Sequence, residues 1–203
     1  MKSATGKLSM GDSFWNDRWQ KGETGWDVGH ASPAITAYMS QYSNKDAAIL
    51  IPGCGNAYEA AYLVDNGFTN ITLLDIAPYA AEQVKKKFAG DAQVKVICGD
   101  FFKHDGQYDL MIEQTFFCAI PPERRRDYVA KAASLLRANG RIIGLLFDRS
   151  FEMGPPFGGS VSEYKTHFSP SFFIKKMEAC YNSILPRAGS EVFINLVKKD
   201  NAA

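Results

Sequence analysis

Three places in this 203-residue chain pair residue types with a spacing that suits chemistry on a small molecule. The stretch ILIPGCGNAYEAAYL, Ile49 to Leu63, is a short apolar run, a Pro-Gly-Cys-Gly turn and a helix-like segment. Gly53 and Gly55 let a ligand come close to the main chain, or simply serve a tight turn. Asp75 stands twenty residues beyond Gly55, after a second apolar run. A carboxylate there accepts hydrogen bonds from both hydroxyls of a ribose, or belongs to the cap of the helix opened by Ala77-Pro78. Asp100-Phe101-Phe102 follows a third run. Its carboxylate suits an exocyclic amine and its ring a purine face; the plainer reading is a polar turn ahead of core phenylalanines. Glu113-Gln114 follows a fourth run.

Taken together, these strand ends suit one nucleoside-containing cofactor. A dinucleotide fingerprint needs a third small residue where Tyr58 stands, which counts against nicotinamide or flavin. No Gly-Lys-Ser/Thr is present, so a triphosphate is disfavoured. Ribose and adenine without phosphate describe S-adenosylmethionine. Trp15 and Trp19 are four apart and share a face if helical. Aromatic faces beside a sulfonium gain up to about 2 kcal/mol when desolvated; on an isolated amphipathic helix the pair would simply be core.

The elements that must position these residues alternate. Strands are expected at Ala47 to Ile51, Ile71 to Leu74, Val94 to Cys98, Tyr108 to Ile112 and Gly140 to Phe147. Helices are expected at Ser32 to Tyr42, Ala57 to Asn66, Pro78 to Phe88, Glu123 to Arg137 and Ser171 to Cys180. Ser183 to Leu185 and Val192 to Val197 read as a closing antiparallel hairpin. The pattern predicts an α/β fold with a mostly parallel sheet flanked by helices, and ligands at the carboxyl ends of the strands.

Composition narrows the rest. With 46% hydrophobic and 22% charged residues, the chain supports one domain with a sizeable core. A net charge of +1 gives no reason to expect nucleic acid or an anionic membrane as partner. No apolar run nears the roughly 20 residues that span a bilayer, and the N-terminus lacks a signal-peptide core. The four cysteines form no CxxC pair, so no metal site is expected, and Cys98 and Cys118 read as inert core thiols. A cytoplasmic monomer is the expectation.

The motifs IPGCGNAYEAAYL, LLDIAP, GDFF and QTFFCAIPPERR, with FWNDRWQKGETGWDVG before them and GPPFGG at Gly154 to Gly159, resemble the thiopurine S-methyltransferase-like superfamily. The similarity is greatest to its thiol and halide methyltransferase branch. It spans roughly Phe14 to Lys198. The resemblance implies a class I methyltransferase (Rossmann-like) sheet of seven strands with the last antiparallel. It implies an aromatic arm, residues 1–31, whose Trp15, Trp19 and Trp26 close over S-adenosylmethionine. Gly53 would lie against the amino-acid part, Asp75 at the ribose, and Asp100 and Phe101 at the adenine, with Gly55 and Ile76 also at the cofactor. Glu113-Gln114 would sit at the methionine end, although plant members carry tyrosine in place of Gln114.

The acceptor pocket is expected from Trp26, Phe117, Arg149, Phe157 and Tyr164, with residues 149–170 as a lid and Phe157 as its plug. No catalytic residue is assigned. Methyl transfer from a sulfonium is an in-line displacement in which orientation supplies on the order of 7–11 kcal/mol. A thiol of pKa about 8.5 is already a few per cent ionised at neutral pH. Ile120-Pro121-Pro122-Glu123 lacks the Asn/Asp-Pro-Pro-aromatic pattern of amine methyltransferases. The expected acceptor is therefore a small soft nucleophile: a thiol, hydrosulfide or halide. An aromatic, thiopurine-like thiol is the alternative acceptor, and a non-catalytic S-adenosylmethionine sensor the alternative of another class.

Overall fold

The computed structural model describes residues 10–200, so the first nine residues of the expected 1–31 arm lie outside the described residues. The elements run α1 (Asp12–Lys21), α2 (Pro33–Met39), β1 (Ile49–Pro52), α3 (Tyr58–Asp65), β2 (Ile71–Asp75), α4 (Pro78–Lys87), β3 (Val94–Cys98) and β4 (Tyr108–Gln114). They continue as α5 (Arg125–Leu135), β5 (Leu136–Phe147), α6 (Val161–Phe168), β6 (Phe172–Ala179) and β7 (Glu191–Lys198). Local chemistry marks several ends. Pro33 and Pro78 open α2 and α4, where a missing N–H costs nothing. Gly22, at φ 69°, closes α1 in the left-handed conformation. Lys85, Lys86 and Lys87 occupy the last turn of α4, where the helix dipole favours cations.

The seven strands form one sheet in the order β3-β2-β1-β4-β5-β7-β6. β1 pairs in parallel with β2 and β4, β2 with β3, and β4 with β5. β7 runs antiparallel to both of its neighbours, β5 and β6. Alternate strand residues serve opposite faces, as the pleat requires. Ile49, Ile51, Ile71, Leu73, Leu110 and Ile112 join Met39, Leu63 and Val84 from α2, α3 and α4. Leu50, Leu74, Met111 and Ile142 join Tyr128, Ala132 and Phe168 from α5 and α6. The order reverses between β1 and β4, which opens a crevice beyond their carboxyl ends. No helix among the described residues is long and apolar enough to cross a membrane.

Ser171 to Cys180 is not the expected helix but mostly β6. Its inward residues are Phe172, Ile174 and Met177, and the three-residue step from Ile174 to Met177 suits a helix. A register shift between Ile174 and Lys176 inserts one residue and returns Met177 to the core face, so the strand alternation is broken in the sequence. β7 therefore pairs with β6, and Leu185–Arg187 is a single 3-10 turn rather than a strand. α6 falls inside the expected lid. Cys118 is buried as expected, whereas Cys98, at the end of edge strand β3, is exposed.

Candidate active site

The crevice at the strand-order reversal is a cavity of about 530 Å3. Its floor is the turn after β1. Gly53 at φ 58°, Gly55 at φ 52° and Ala57 at φ 51° put three residues of this turn in the left-handed region. A Cβ on Gly53 would come within 2.4 Å of the Phe116 ring, so glycine is required by space as well as by backbone. Asp75, at the end of β2, ties the turn down. One carboxylate oxygen accepts from Gly55 N at 3.0 Å and the other from Ala77 N at 2.9 Å. Burial pushes the Asp75 carboxyl above its ordinary value, while the N–H groups of Ala77, Gly55 and Ile76 hold it down. Asp75 and Ile76 both border the cavity.

The next wall follows β3. Asp100 accepts from Phe102 N at 2.9 Å and so caps a 3-10 turn. Phe101 is buried and stacks on Tyr128, ring centroids 5.3 Å apart. Phe102 carries the Arg124 guanidinium 3.6 Å above its ring, and both residues line the cavity.

Opposite stands the aromatic arm. Trp15 and Trp19 share one face of α1, and each meets Trp26 edge to face, at centroid distances of 5.5 and 5.9 Å. All three rings line the cavity. The arm is tied at three points. Asn16 Oδ1 accepts from Tyr79 N at 2.8 Å, at the start of α4. Asp27 accepts from the Asn56 side-chain amide and from the Tyr58 hydroxyl. Arg187 donates to the Trp26 carbonyl at 2.8 Å.

The last wall is the turn after β4. Gln114 lines the cavity, and its Oε1 is buried with no hydrogen-bond partner. Thr115 has φ 59°, unusual for a β-branched residue and a point of backbone strain. Phe116, Cys118, Ala119 and Ile120 complete this wall, with Pro155 and Pro156 beside it. Burial pushes the Cys118 thiol to about 12, so it is neither nucleophile nor base.

The structure thus brings Trp15, Trp19, Trp26, Gly53, Gly55, Asp75, Ile76, Asp100, Phe101 and Gln114 around one cavity. Other expected residues stand elsewhere. Glu113 lies beneath the turn and not on the cavity wall. Of the expected acceptor residues only Trp26 borders the cavity. Phe117 packs among Tyr128, Tyr164 and Phe168, because the residue after Phe116 in a tight turn points the other way, into the core. Tyr164 is 1% exposed and donates to the Phe147 carbonyl at 2.5 Å. Arg149 is exposed, bridges Gly159 in an antiparallel pair and covers Phe151.

Phe157 is no plug at the mouth. Its N–H donates to the Cys118 carbonyl at 2.6 Å and its ring sits against Gly154. Buried Arg125 anchors this loop, donating to the Gly158 carbonyl at 2.6 Å and pairing with Glu163 of α6. The segment is therefore fastened at its base, and it offers the cavity Pro155 and Pro156 instead. Those two prolines were in view within GPPFGG; the strained Thr115 left no mark in the sequence.

A sheet of this order, with a glycine turn, an acidic residue on the second strand and another after the third around one crevice, is the class I methyltransferase architecture. Solved structures agree. The chain superposes with TM-score 0.74 on Burkholderia thailandensis 1,6-didemethyltoxoflavin-N1-methyltransferase, at 17% identity, covering 98% of this chain and 94% of that one. It superposes equally well on magnesium protoporphyrin IX methyltransferase from Synechocystis, at 14% identity, covering 97% and 100%. Residues 10–197 match the family model of thiopurine S-methyltransferase, and the chain belongs to that family. It is an S-adenosylmethionine-dependent methyltransferase. Similar relatives include a probable thiol methyltransferase 2 of Arabidopsis thaliana, 33% identical over 78% of this chain and 73% of that protein. Others are thiocyanate methyltransferase 1 of Brassica oleracea, 28% identical over 87% and 81%, and thiopurine S-methyltransferase of Photobacterium profundum, 27% identical over 78% and 83%.

Proposed function

We propose that the protein methylates a small soft nucleophile, a thiol, hydrosulfide or halide, by orientation alone. The observation that carries this is the wall opposite the glycine turn. From Thr115 to Pro121 and across Pro155 and Pro156 its one titratable side chain is the Cys118 thiol, held protonated by burial; Glu123 and Arg124, next in the chain, border the cavity beyond that stretch, with Arg124 over the Phe102 ring. An amine or alcohol needs a group to take its proton; a thiolate or iodide does not. The names of the thiol and thiocyanate methyltransferases among the relatives point the same way.

The residues present fit S-adenosylmethionine. Gln114 Oε1 is a buried acceptor without a donor, placed for the cofactor's ammonium. The glycine turn holds the amino-acid part close to backbone. Asp75, fixed by backbone N–H groups, keeps lone pairs for the ribose hydroxyls. Asp100 takes the adenine amine beside Phe101 and Phe102. Bound there, the cofactor supplies a methyl group on a sulfonium. The three tryptophans attract that charge and exclude water. Since the charge is lost in the transition state, they raise affinity rather than lower the barrier. The apolar wall then holds the nucleophile in line.

A series of small thiols of differing acidity tests the absence of a base. The expected result is that each rate follows that thiol's own ionisation, while amines and alcohols of similar size gain no methyl group. Methylation of an amine or alcohol at a comparable rate contradicts the proposal.

A further inference from the structure

Glu113 takes no place in the cavity, yet three donors converge on it. Its Oε1 accepts from Phe116 N at 2.9 Å and Phe117 N at 2.8 Å, and its Oε2 accepts from the Tyr128 hydroxyl at 2.6 Å. The side chain is 1% exposed. The two N–H groups belong to the turn that ends β4 and builds the wall facing the glycine turn. The strained Thr115 sits between Glu113 and those N–H groups, so the carboxylate closes the turn over a backbone conformation the chain would otherwise leave.

We propose that Glu113 is a positioning residue for methyl transfer: its carboxylate clamps the turn after β4 in the shape that sets the acceptor wall and aims Gln114 into the cavity. This rests on reading that wall as the acceptor side. The clamp is tighter in the ionised form, because Oε1 accepts from Phe116 and Phe117 N–H more strongly as part of a carboxylate than as the carbonyl oxygen of a carboxyl protonated at Oε2. A carboxylate satisfies all three donors; a protonated carboxyl adds a fourth hydrogen, and one hydroxyl is left without an acceptor in a dry aromatic cluster. Burial pushes Glu113 up to about 7, so the clamp loosens within the ordinary working range of pH. Two titratable groups face it: the Tyr128 phenol from α5 and the Cys118 thiol from the turn itself. Burial raises both well away from neutrality, so neither changes charge in that range. On β5, Gly144 stands opposite Glu113 with its backbone against it.

The test uses two readouts on the full-length protein. Hydrogen exchange of the Phe116 and Phe117 amides, corrected for intrinsic rate, needs no acceptor. Protection is expected to fall as pH drops through about 7 in the native protein and to be pH-independent in Glu113→Gln. Iodide, which does not titrate here, is the acceptor for the second readout. The kcat/KM is expected to rise roughly tenfold between pH 6 and 8, following the ionised fraction. It should be flat in Glu113→Gln, and the inflection should return in Glu113→Asp. Tyr128→Phe removes one donor and should move the inflection to higher pH. Equal protection and an unchanged profile in Glu113→Gln would overturn the proposal. If no soft nucleophile is methylated while exchange still tracks Glu113, the acceptor reading fails and the clamp stands as a feature of the turn alone.

Discussion

Two neighbouring residues at the end of β4, Glu113 and Gln114, divide the work between fold and ligand. Gln114 Oε1 is buried without a donor, which costs the empty protein stability. Gln114→Leu is therefore expected to leave the cofactor-free protein as stable or slightly more stable in denaturant. It should also weaken S-adenosylhomocysteine binding by about 1.5–3 kcal/mol, the worth of a hydrogen bond to a charged group, read by calorimetry. Unchanged affinity would remove Gln114 from the cofactor site. Glu113 has a sign that can be worked out. Its carboxyl is raised from the ordinary 4.5 to about 7, so in that window the folded protein holds a proton that the unfolded chain releases. This contribution to global stability, opposite in sign to the local loosening of the turn on protonation, is full below pH 4.5 and lost as pH rises through 7, by about 3 kcal/mol in all. Glu113→Gln lacks that slope, and denaturant midpoints across pH, compared with the native protein, measure it. The crevice positions of Gly53, Asp75 and Asp100 were legible in the sequence because each stands at or just beyond the end of an apolar run that became a strand. Phe117 and Tyr164 were not, since an aromatic residue looks the same whether it faces a cavity or a core.

Secondary-structure elements carry the next set of constraints. α1 presents Trp15 and Trp19 to Trp26 and is held by the hydrogen bond from Tyr79 N of α4 to Asn16 and by the Asp27 contacts to Asn56 and Tyr58. On the proposed role of the tryptophans in affinity, Trp19→Ala should raise the KM for S-adenosylmethionine more than it lowers kcat, which steady-state kinetics separates. On the other side of the crevice, Arg125 of α5 joins α6 and the loop around Gly158. Arg125→Met leaves the Gly158 carbonyl without this donor and Glu163 with His167 in place of the buried guanidinium. Glu163 keeps some contact with water, so a loss of about 3 kcal/mol, the low end for a broken buried pair, is expected in denaturant unfolding. The first five strands could be read from their apolar runs between turn residues. β6 could not: one extra residue at its bulge sets Ile174 and Met177 three apart, as on a helix face, and only pairing with β7 decides the matter.

At the scale of the whole molecule, the sheet order places four strand ends and an aromatic arm around one crevice, and the proposed chemistry rests on the apolar stretch from Thr115 to Pro121 on one side of it. A floor of backbone and carboxylates faces a wall of apolar side chains. The division suits a polar cofactor and a soft acceptor that brings its own charge. A ligand that binds only the folded form stabilises it by mass action, about 2.7 kcal/mol at a hundred times its Kd. S-adenosylhomocysteine should accordingly raise the melting temperature, and NADH should not. The most direct test of the central claim is transfer of a labelled methyl group. Purified protein would be incubated with methyl-labelled S-adenosylmethionine and with iodide, hydrosulfide, small thiols or an aromatic thiol, and products collected from headspace and solution. The account predicts label in methyl iodide or a volatile thioether. Cofactor binding with no label in any of these products would contradict it, and label confined to the aromatic thioether would contradict the small-acceptor reading of the wall.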